Sequence, residues 1–201
     1  GGGHASVCLD LLLSQHRNVV GYIAKQPSAN MDQFIPYLGN DDVIEGFCGK
    51  EYRLVNGIGS IVGSRRREEA FGWYKKKGFT FETLVHHTAV LARDVVLSEG
   101  TQIMAGAIIQ AGASIGTNAI INTRASVDHD GRIGNHVHVA PGAILCGNVT
   151  VGDSAYVGAG STIIQGIRLS DNCIVAAGAV VIRDVASSQK VYGVPAREGQ
   201  R

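Results

Sequence analysis

The chain is poor in aromatic residues, and it lacks a dense basic tract and a long apolar run. Aromatic residues make up 6% of its 201 residues, and the cysteines at 8, 48, 146 and 173 match no zinc or redox spacing. We therefore expect free thiols in a reducing compartment and a cytoplasmic protein. The formal net charge of +1, with no broad Lys/Arg footprint, argues against nucleic-acid binding. No apolar run approaches the roughly 18 residues of a membrane helix and no signal-peptide pattern occurs, so membrane insertion is not expected.

Glycine is abundant, with 27 residues, and the chain beyond residue 84 repeats with a period of six. Every sixth residue from Val85 to Val181 is Val, Ile or Leu, which makes seventeen positions, and a small residue usually follows four positions later. This period fits neither a helix nor a single strand. It predicts short strands and turns stacked as an all-β parallel β-helix, with three hexads, or about 18 residues, in each coil. The aliphatic anchors are expected to point inward, with stacked strands about 4.8 Å apart.

Residues 1–84 show no hexads and read as alternating strands and helices. "NVVGYIA" (18–24) and "YRLVNGIGS" (52–60) predict strands, and residues 64–79 predict a helix with Ser64 as its N-cap and Gly78 at its end. This alternation indicates a small α/β domain with a parallel sheet. The glycine turn at 1–3 precedes a helix, where backbone N–H groups favour a phosphate-bearing ligand. Such a turn normally follows a strand, so we expect this first strand to be missing from the sequence.

Four stretches together are selective for one family. They are "GGGHA" at 1–5, "GIGS" at 57–60, "INTRASVDHDGRIGNHVHVAPGAILCGNVTVG" at 121–152 and "YGVPAR" at 192–197. On these stretches the chain resembles the bacterial NeuD/PglD-type sugar-nucleotide acetyltransferases over almost its whole length. The resemblance implies an α/β Rossmann-like sugar-nucleotide-binding domain over 1–84, a left-handed β-helix acyltransferase domain of hexapeptide repeats over 85–186, and a C-terminal tail over 187–201. It also implies a homotrimer with acetyl-CoA sites between neighbouring prisms.

The same resemblance assigns roles to individual residues. His129 matches the general base, Asp130 the acidic residue that orients it, and Gly147 a glycine whose N–H stabilises the oxyanion. Residues expected to contact acetyl-CoA are His138, Ala159, Ala177 and Pro195. Residues expected to contact the sugar nucleotide are Gly2, Gly3 and His4. No metal is implied.

The spacing of the residues supports part of this site independently. His129 holds the third position of its hexad, where side chains point outward, and Gly147 follows three hexads later, one coil away. A glycine N–H placed there could stabilise an oxyanion, a contribution of about 3–4 kcal/mol to the barrier. Pro141, Ala159 and Ala177 form a second column at the same spacing. This column fits a groove for a pantetheine arm, and it fits strand packing in a trimer equally well.

The two other histidines of the 121–152 stretch, His136 and His138, have different expected positions. His138 lies half a coil after His129, so the two face different sides of one prism. They can share a site only where neighbouring prisms meet, as in a trimer. His136 is expected to be a solvent-facing residue without a role in the site.

The function that this resemblance implies is acetyl-CoA-dependent N-acetylation of a nucleotide-linked 4-amino-4,6-dideoxy sugar, for surface glycan biosynthesis. The alternatives are an O-acetyltransferase acting on a sugar or sialic acid, a non-catalytic trimeric scaffold or sensor, and acetylation of a free metabolite such as serine. A zinc enzyme like the γ-class carbonic anhydrases is a further alternative, but His86 and His87 precede His129 by more than the expected two coils. The nucleotide stays open, because Ala24 and Lys25 replace an acidic pair that many family members carry after the second strand.

Overall fold

The computed structural model describes residues 2–199 of the chain, so the predicted role of the first glycine turn can be followed only from Gly2 onward. The chain divides into two compact units, Gly1–Leu84 and Val85–Arg201. Among the described residues, no helix is long and apolar enough to span a membrane. The four cysteines form no disulfide.

The first unit contains three α-helices, one 3-10 helix and four short strands. In chain order these are α1 (Gly3–Ser14), β1 (Tyr22–Ile23), α2 (Ala29–Asp32), β2 (Tyr37–Gly39), the 3-10 helix (Asp41–Gly46), β3 (Arg53–Leu54), α3 (Arg66–Lys76) and β4 (Thr80–Phe81). Strands β1 and β2 pair in parallel, and so do β3 and β4. The predicted alternation of helices with parallel strands is therefore present. The four strands form two separate pairs, however, so the described residues do not confirm a continuous Rossmann-like sheet.

Two of the predicted elements are shorter than their sequence patterns indicate. The strand expected over 18–24 is limited to Tyr22 and Ile23, directly after Gly21, whose φ is 157°. Helix α3 begins at Arg66 instead of 64, with Arg65 as its N-cap, while the Ser64 hydroxyl accepts a weak hydrogen bond (3.4 Å) from the Arg66 N–H. The helix ends before Gly78, whose φ of 86° suits a residue without a side chain.

The second unit is built from short strands that recur along the chain. These are β5 (Leu84–Val85), β6 (Val90–Leu91), β7 (Val96–Leu97), β8 (Gln102–Ile103), β9 (Ile108–Ile109), β10 (Ser114–Ile115), β11 (Ile120–Ile121), β12 (Ser126–Val127), β13 (Arg132–Ile133), β14 (His138–Val139), β15 (Ile144–Leu145), β16 (Thr150–Val151), β17 (Tyr156–Val157), β18 (Thr162–Ile163), β19 (Arg168–Leu169), β20 (Ile174–Val175), β21 (Val180–Val181), β22 (Lys190–Tyr192) and β23 (Arg197–Glu198).

Every third strand joins the same parallel sheet, which gives the unit three faces. Strand β12, for example, pairs with β9 and β15, so Val127 lies beside Ile109 of the preceding coil and Leu145 of the following one. From Ile103 to Val181 every sixth residue is buried in one continuous core, and Val85, Leu91 and Leu97 pack against that core while partly exposed. The hexapeptide repeats and the three parallel sheets fit the left-handed β-helix that the resemblance implies.

The turns between these strands account for part of the glycine content. One residue in each hexad from 100 to 178 has a left-handed backbone, with φ between 56° and 72°: Gly100, Gly106, Gly112, Asn118, Arg124, Asp130, His136, Gly142, Asn148, Ser154, Gly160, Gly166, Asn172 and Gly178. Glycine adopts this conformation without a steric penalty, and Asn and Asp tolerate it better than most residues. Asp130 and His136 thus occupy turn positions.

The segment predicted as a separate tail takes part in the β-helix. Strand β22 continues the sheet of β20 in parallel, and β23 folds back onto β22 in antiparallel register. Ile174 pairs with Lys190, a separation two positions short of the three hexads that the earlier coils use. The last coil is therefore shorter than the others.

Candidate active site

His129 lies just beyond β12, at the outer surface of the β-helix. Its side chain is 62% exposed, as expected for the third position of a hexad. The Asp128 carboxylate accepts a hydrogen bond of 2.7 Å from the His129 backbone N–H, which fixes the local backbone. The sequence therefore places an accessible imidazole at an edge of the prism.

Asp130 orients this imidazole. Its Oδ2 lies 2.9 Å from His129 Nδ1. The carboxylate can only accept, so Nδ1 carries the proton and donates a hydrogen bond to it, and in the neutral imidazole Nε2 keeps its lone pair. The hydrogen bond to Asp130, with the charges of Asp128 and Asp130, raises the pKa of His129 above its usual value. An oriented imidazole with a free Nε2 lone pair is suited to accept a proton.

Two glycines in neighbouring coils make room for the His129–Asp130 pair. A Cβ atom at Gly147 would lie 2.3 Å from His129 Nε2, so the imidazole rests directly on the Gly147 backbone. A Cβ atom at Gly112 would lie 2.6 Å from Asp130 Oδ1. Gly112 was not predicted as a site residue. The signal that identifies it is its position three hexads before Asp130, in the adjacent coil.

The Gly147 backbone brings a hydrogen-bond donor next to the imidazole. The Gly147 carbonyl accepts from the Gly166 N–H at 3.0 Å, and the His129 carbonyl accepts from the Asn148 N–H at 2.8 Å. The Gly147 N–H itself makes no hydrogen bond to any residue between 2 and 199. Within one chain, His129 Nε2 thus lies beside the Gly147 N–H, a donor that has no acceptor among these residues.

His138 belongs to a different face of the prism. It is the first residue of β14 and is 8% exposed, and its ring meets the Tyr156 ring edge-on, with centroids 5.1 Å apart. Its Nε2 lies 3.1 Å from Nδ2 of Asn122, which follows β11. Asn122 was not predicted from the sequence. His129 follows β12, in another sheet, so the two histidines do not share a face.

His136 differs from its expected position in solvent. It is half-buried at a turn, and its Nδ1 lies 3.0 Å from Nδ2 of Asn118, one coil earlier. His86 and His87 stack with ring centroids 4.3 Å apart. In the described part of the chain, no three His, Cys, Asp or Glu side chains come together as a group that could hold a metal ion.

The column of small residues is continuous and exposed. The Gly160 N–H donates to the Pro141 carbonyl at 3.0 Å, and the Gly178 N–H donates to the Ala159 carbonyl at 2.9 Å, which stacks consecutive coils along this edge. Pro141, Ala159 and Ala177 are all exposed. Pro195 is exposed as well, but it lies beyond β22 in the shortened last coil, outside the regular three-hexad register of this column.

The first unit holds a second cluster, built around the start of α1. Gly2 is the N-cap of α1, and no side chain caps the helix there. The "GIGS" loop packs closely against this first turn. Cβ atoms added at Gly57 and Gly59 would lie only 2.9 Å from Ala5 Cβ and 3.2 Å from His4 Cβ. The structure thus brings together the glycine-containing stretches at 2–5 and 57–60. A helix N-terminus of this kind attracts anions.

A buried arginine holds this loop in place. Arg67 is 6% exposed, and its Nη1 donates to the carbonyls of Asn56 and Ile58 at 2.8 and 2.7 Å. In return, Asn56 Nδ2 donates to the Arg67 carbonyl at 3.0 Å. Burial lowers the pKa of Arg67 to about 10. The burial of Arg67 could not be predicted from the pattern "RRREE" at 65–69, because nothing in the sequence distinguishes it from its exposed neighbours.

Comparisons with known proteins agree with the fold of the second unit and extend over the whole chain. The family model for bacterial transferase hexapeptides (six repeats) matches residues 130–165, and that for the hexapeptide repeat of succinyl-transferase matches 148–183. The structure of PerB from Caulobacter crescentus, solved with CoA and GDP-perosamine, is 35% identical with a TM-score of 0.89, over 100% of this chain and 94% of that one. Among curated proteins, none matches the chain significantly.

Two further solved structures are similar over nearly the same length. The acetyltransferase domain of PglB from Neisseria gonorrhoeae is 26% identical with a TM-score of 0.90, covering 98% of this chain and 95% of that chain. WeeI from Acinetobacter baumannii is 26% identical with a TM-score of 0.88, covering 98% and 96%.

The repeats and the fold define a hexapeptide-repeat transferase. With 35% identity to PerB over its whole length, the chain belongs to the NeuD/PglD-like family of sugar-nucleotide acetyltransferases, and it is an acetyltransferase.

Proposed function

We propose that this enzyme transfers the acetyl group of acetyl-CoA to the amino group of a nucleotide-linked amino sugar. Acetyl-CoA is the cosubstrate, in line with the CoA and acetyl-CoA bound in the related structures. GDP-perosamine in the PerB structure supports a nucleotide-linked amino sugar as the acceptor class. The observation on this chain that carries the proposal is the contact between the bare Nε2 of His129 and the backbone of Gly147.

The chemistry follows from the two neighbouring groups. The sugar amine attacks the thioester carbonyl of acetyl-CoA, and His129 Nε2 takes a proton from that amine. The carbonyl oxygen gains negative charge in the tetrahedral intermediate, and the Gly147 N–H donates a hydrogen bond to it. When the C–S bond breaks, the imidazolium returns its proton to the departing CoA sulfur. The amide product, free CoA and neutral His129 remain. Asp130 holds the imidazole and stabilises its charged form.

The exposed small-residue column is proposed to carry the pantetheine arm of acetyl-CoA. Side chains no larger than Pro141, Ala159 and Ala177 leave a shallow track along consecutive coils. His138 is proposed to contact the same cosubstrate. Because His138 and His129 lie on different faces, both can reach one acetyl-CoA only when a second copy of the chain contributes a face, so we propose a homotrimer with sites between subunits.

The first unit is proposed to bind the sugar nucleotide in the manner of a Rossmann-like domain. The open N-terminus of α1, at Gly2, Gly3 and His4, offers backbone N–H groups to the diphosphate. Acetylated amino sugars of this type are proposed to enter surface glycan synthesis.

Thiol release from acetyl-CoA, measured against a panel of acceptors, tests the proposal. GDP-perosamine is the first acceptor to assay, followed by UDP- and dTDP-linked 4-amino sugars, with sialic acid and serine as controls. We expect turnover with at least one amino sugar and an acetylated amine in the product. Turnover with sialic acid alone would replace N-acetylation by O-acetylation. No thiol release with any acceptor, together with failure to bind acetyl-CoA, would indicate a non-catalytic scaffold.

A further inference from the structure

The side chain of Asn122 has a defined orientation. The Thr123 backbone N–H lies 2.8 Å from one terminal atom of this amide, and the Thr123 hydroxyl lies 3.3 Å from the same atom. A backbone N–H can only donate, so that atom must be the carbonyl oxygen Oδ1. The other terminal atom is therefore the amide nitrogen Nδ2, which lies 3.1 Å from His138 Nε2. The usual ambiguity between the two ends of an amide does not arise here.

This orientation has a consequence for His138. An amide nitrogen only donates hydrogen bonds, so His138 Nε2 must accept, and it cannot carry a proton itself. We propose that Asn122 is a positioning residue that holds His138 as the neutral tautomer with its proton on Nδ1. His138 is only 8% exposed, and the Tyr156 ring packs edge-on against it.

The two histidines of the site then have the same tautomer, with the proton on Nδ1, but their Nε2 lone pairs differ. His129 has its proton on Nδ1, shared with Asp130, and a bare Nε2 directed at Gly147. In His138 the Asn122 amide engages the Nε2 lone pair, so this nitrogen cannot take a proton from a substrate. For its purpose this inference rests on the proposed function: His129 accepts the proton of the sugar amine, and His138 does not, because its Nε2 is already engaged.

The tautomer can be measured on the protein without any substrate. In protein labelled with nitrogen-15 at histidine, a ring nitrogen that carries a proton and one that does not give clearly separated resonances in long-range nitrogen–hydrogen correlation spectra. The His138 signals are assigned by their loss in the His138→Gln variant. At mildly alkaline pH, we expect the protonated signal of His138 at Nδ1 and the unprotonated signal at Nε2.

Substitution at Asn122 should reverse this pattern. Asn122→Asp replaces the donor by a carboxylate that only accepts, so the proton of His138 is expected to shift to Nε2. Asn122→Ala removes the donor and should give both tautomers, which keeps the test decisive if the aspartate variant does not fold. Asn172→Asp makes the same chemical change at an exposed turn and should leave His138 as in the wild type.

A wild-type His138 protonated at Nε2 would overturn the inference, as would an unchanged tautomer in Asn122→Asp. Because the spectra are recorded without acetyl-CoA or acceptor, they stand apart from the proposed reaction. Absence of acetyl transfer in the acceptor panel would refute the proposed function while leaving the tautomer result intact.

Discussion

Replacing Gly147 by alanine should lower the catalytic rate while leaving the stability of the fold nearly unchanged. The added Cβ would lie 2.3 Å from His129 Nε2, 2.6 Å from Cε1 and 3.0 Å from Cδ2, whereas ordinary contact begins at 3.4 Å. The imidazole must therefore withdraw by about 1.1 Å, the difference between 3.4 and 2.3 Å. A displacement of about 1 Å in a reacting group can reduce the rate roughly a hundredfold. We expect a loss of that size in kcat, measured by thiol release from acetyl-CoA.

The same substitution should have little effect on stability, because the His129 side chain is 62% exposed and can swing into solvent. Thermal unfolding followed by circular dichroism checks this. Gly72→Ala is a matched control, since a Cβ at Gly72 meets nothing within 4 Å and the residue lies inside helix α3. That control should keep full activity and gain about 0.5–1 kcal/mol of stability. Full activity in Gly147→Ala would refute the reasoning about the contact between His129 and the glycine.

Three further predictions follow from other parts of the structure. Asp130→Asn weakens the hydrogen bond and removes the charge by which Asp130 raises the pKa of His129. Because the base works in its neutral form, the acidic limb of kcat/KM against pH should move to lower pH, and an unmoved limb would contradict this. Ala159→Phe fills the proposed groove, so the KM for acetyl-CoA should rise about tenfold, while an equal rise for the amino sugar would argue against a cosubstrate track. Arg67→Met removes a buried donor to two loop carbonyls; urea denaturation should show a loss of about 1–3 kcal/mol, and the KM for the sugar nucleotide should rise more than that for acetyl-CoA.

The β-helix could be predicted from the sequence because the six-residue repeat determines the register in which its strands pair. Burial of an aliphatic residue at every sixth position fixes which side chains stack, so the neighbours of Val127 follow from counting three hexads in either direction. The same count placed Gly147 against His129. The count fails where the coil length changes: β22 pairs with β20 in a shortened coil, so three hexads no longer give the stacking partner there.

Contacts that do not follow the repeat could not be predicted. Asn122 and His138 are not separated by a whole coil, and their hydrogen bond depends on side-chain direction across two strands. Residues 1–84 lack any repeat, so the packing of the Gly57–Gly59 loop on α1 depends on tertiary contacts and on the buried side chain of Arg67. Periodicity also cannot distinguish a turn histidine in solvent from one that is hydrogen-bonded to the neighbouring coil, which is why His136 was expected to be exposed.

The most direct test of the proposed mechanism is the turnover of His129→Ala with acetyl-CoA and the amino sugar that the acceptor panel identifies. His136→Asn serves as its control, because asparagine tolerates the left-handed backbone at that turn. We predict that His129→Ala loses on the order of a hundredfold or more in rate while it still binds acetyl-CoA and unfolds at the wild-type temperature, and that His136→Asn remains active. Wild-type turnover by His129→Ala would contradict the assignment of His129 as the general base.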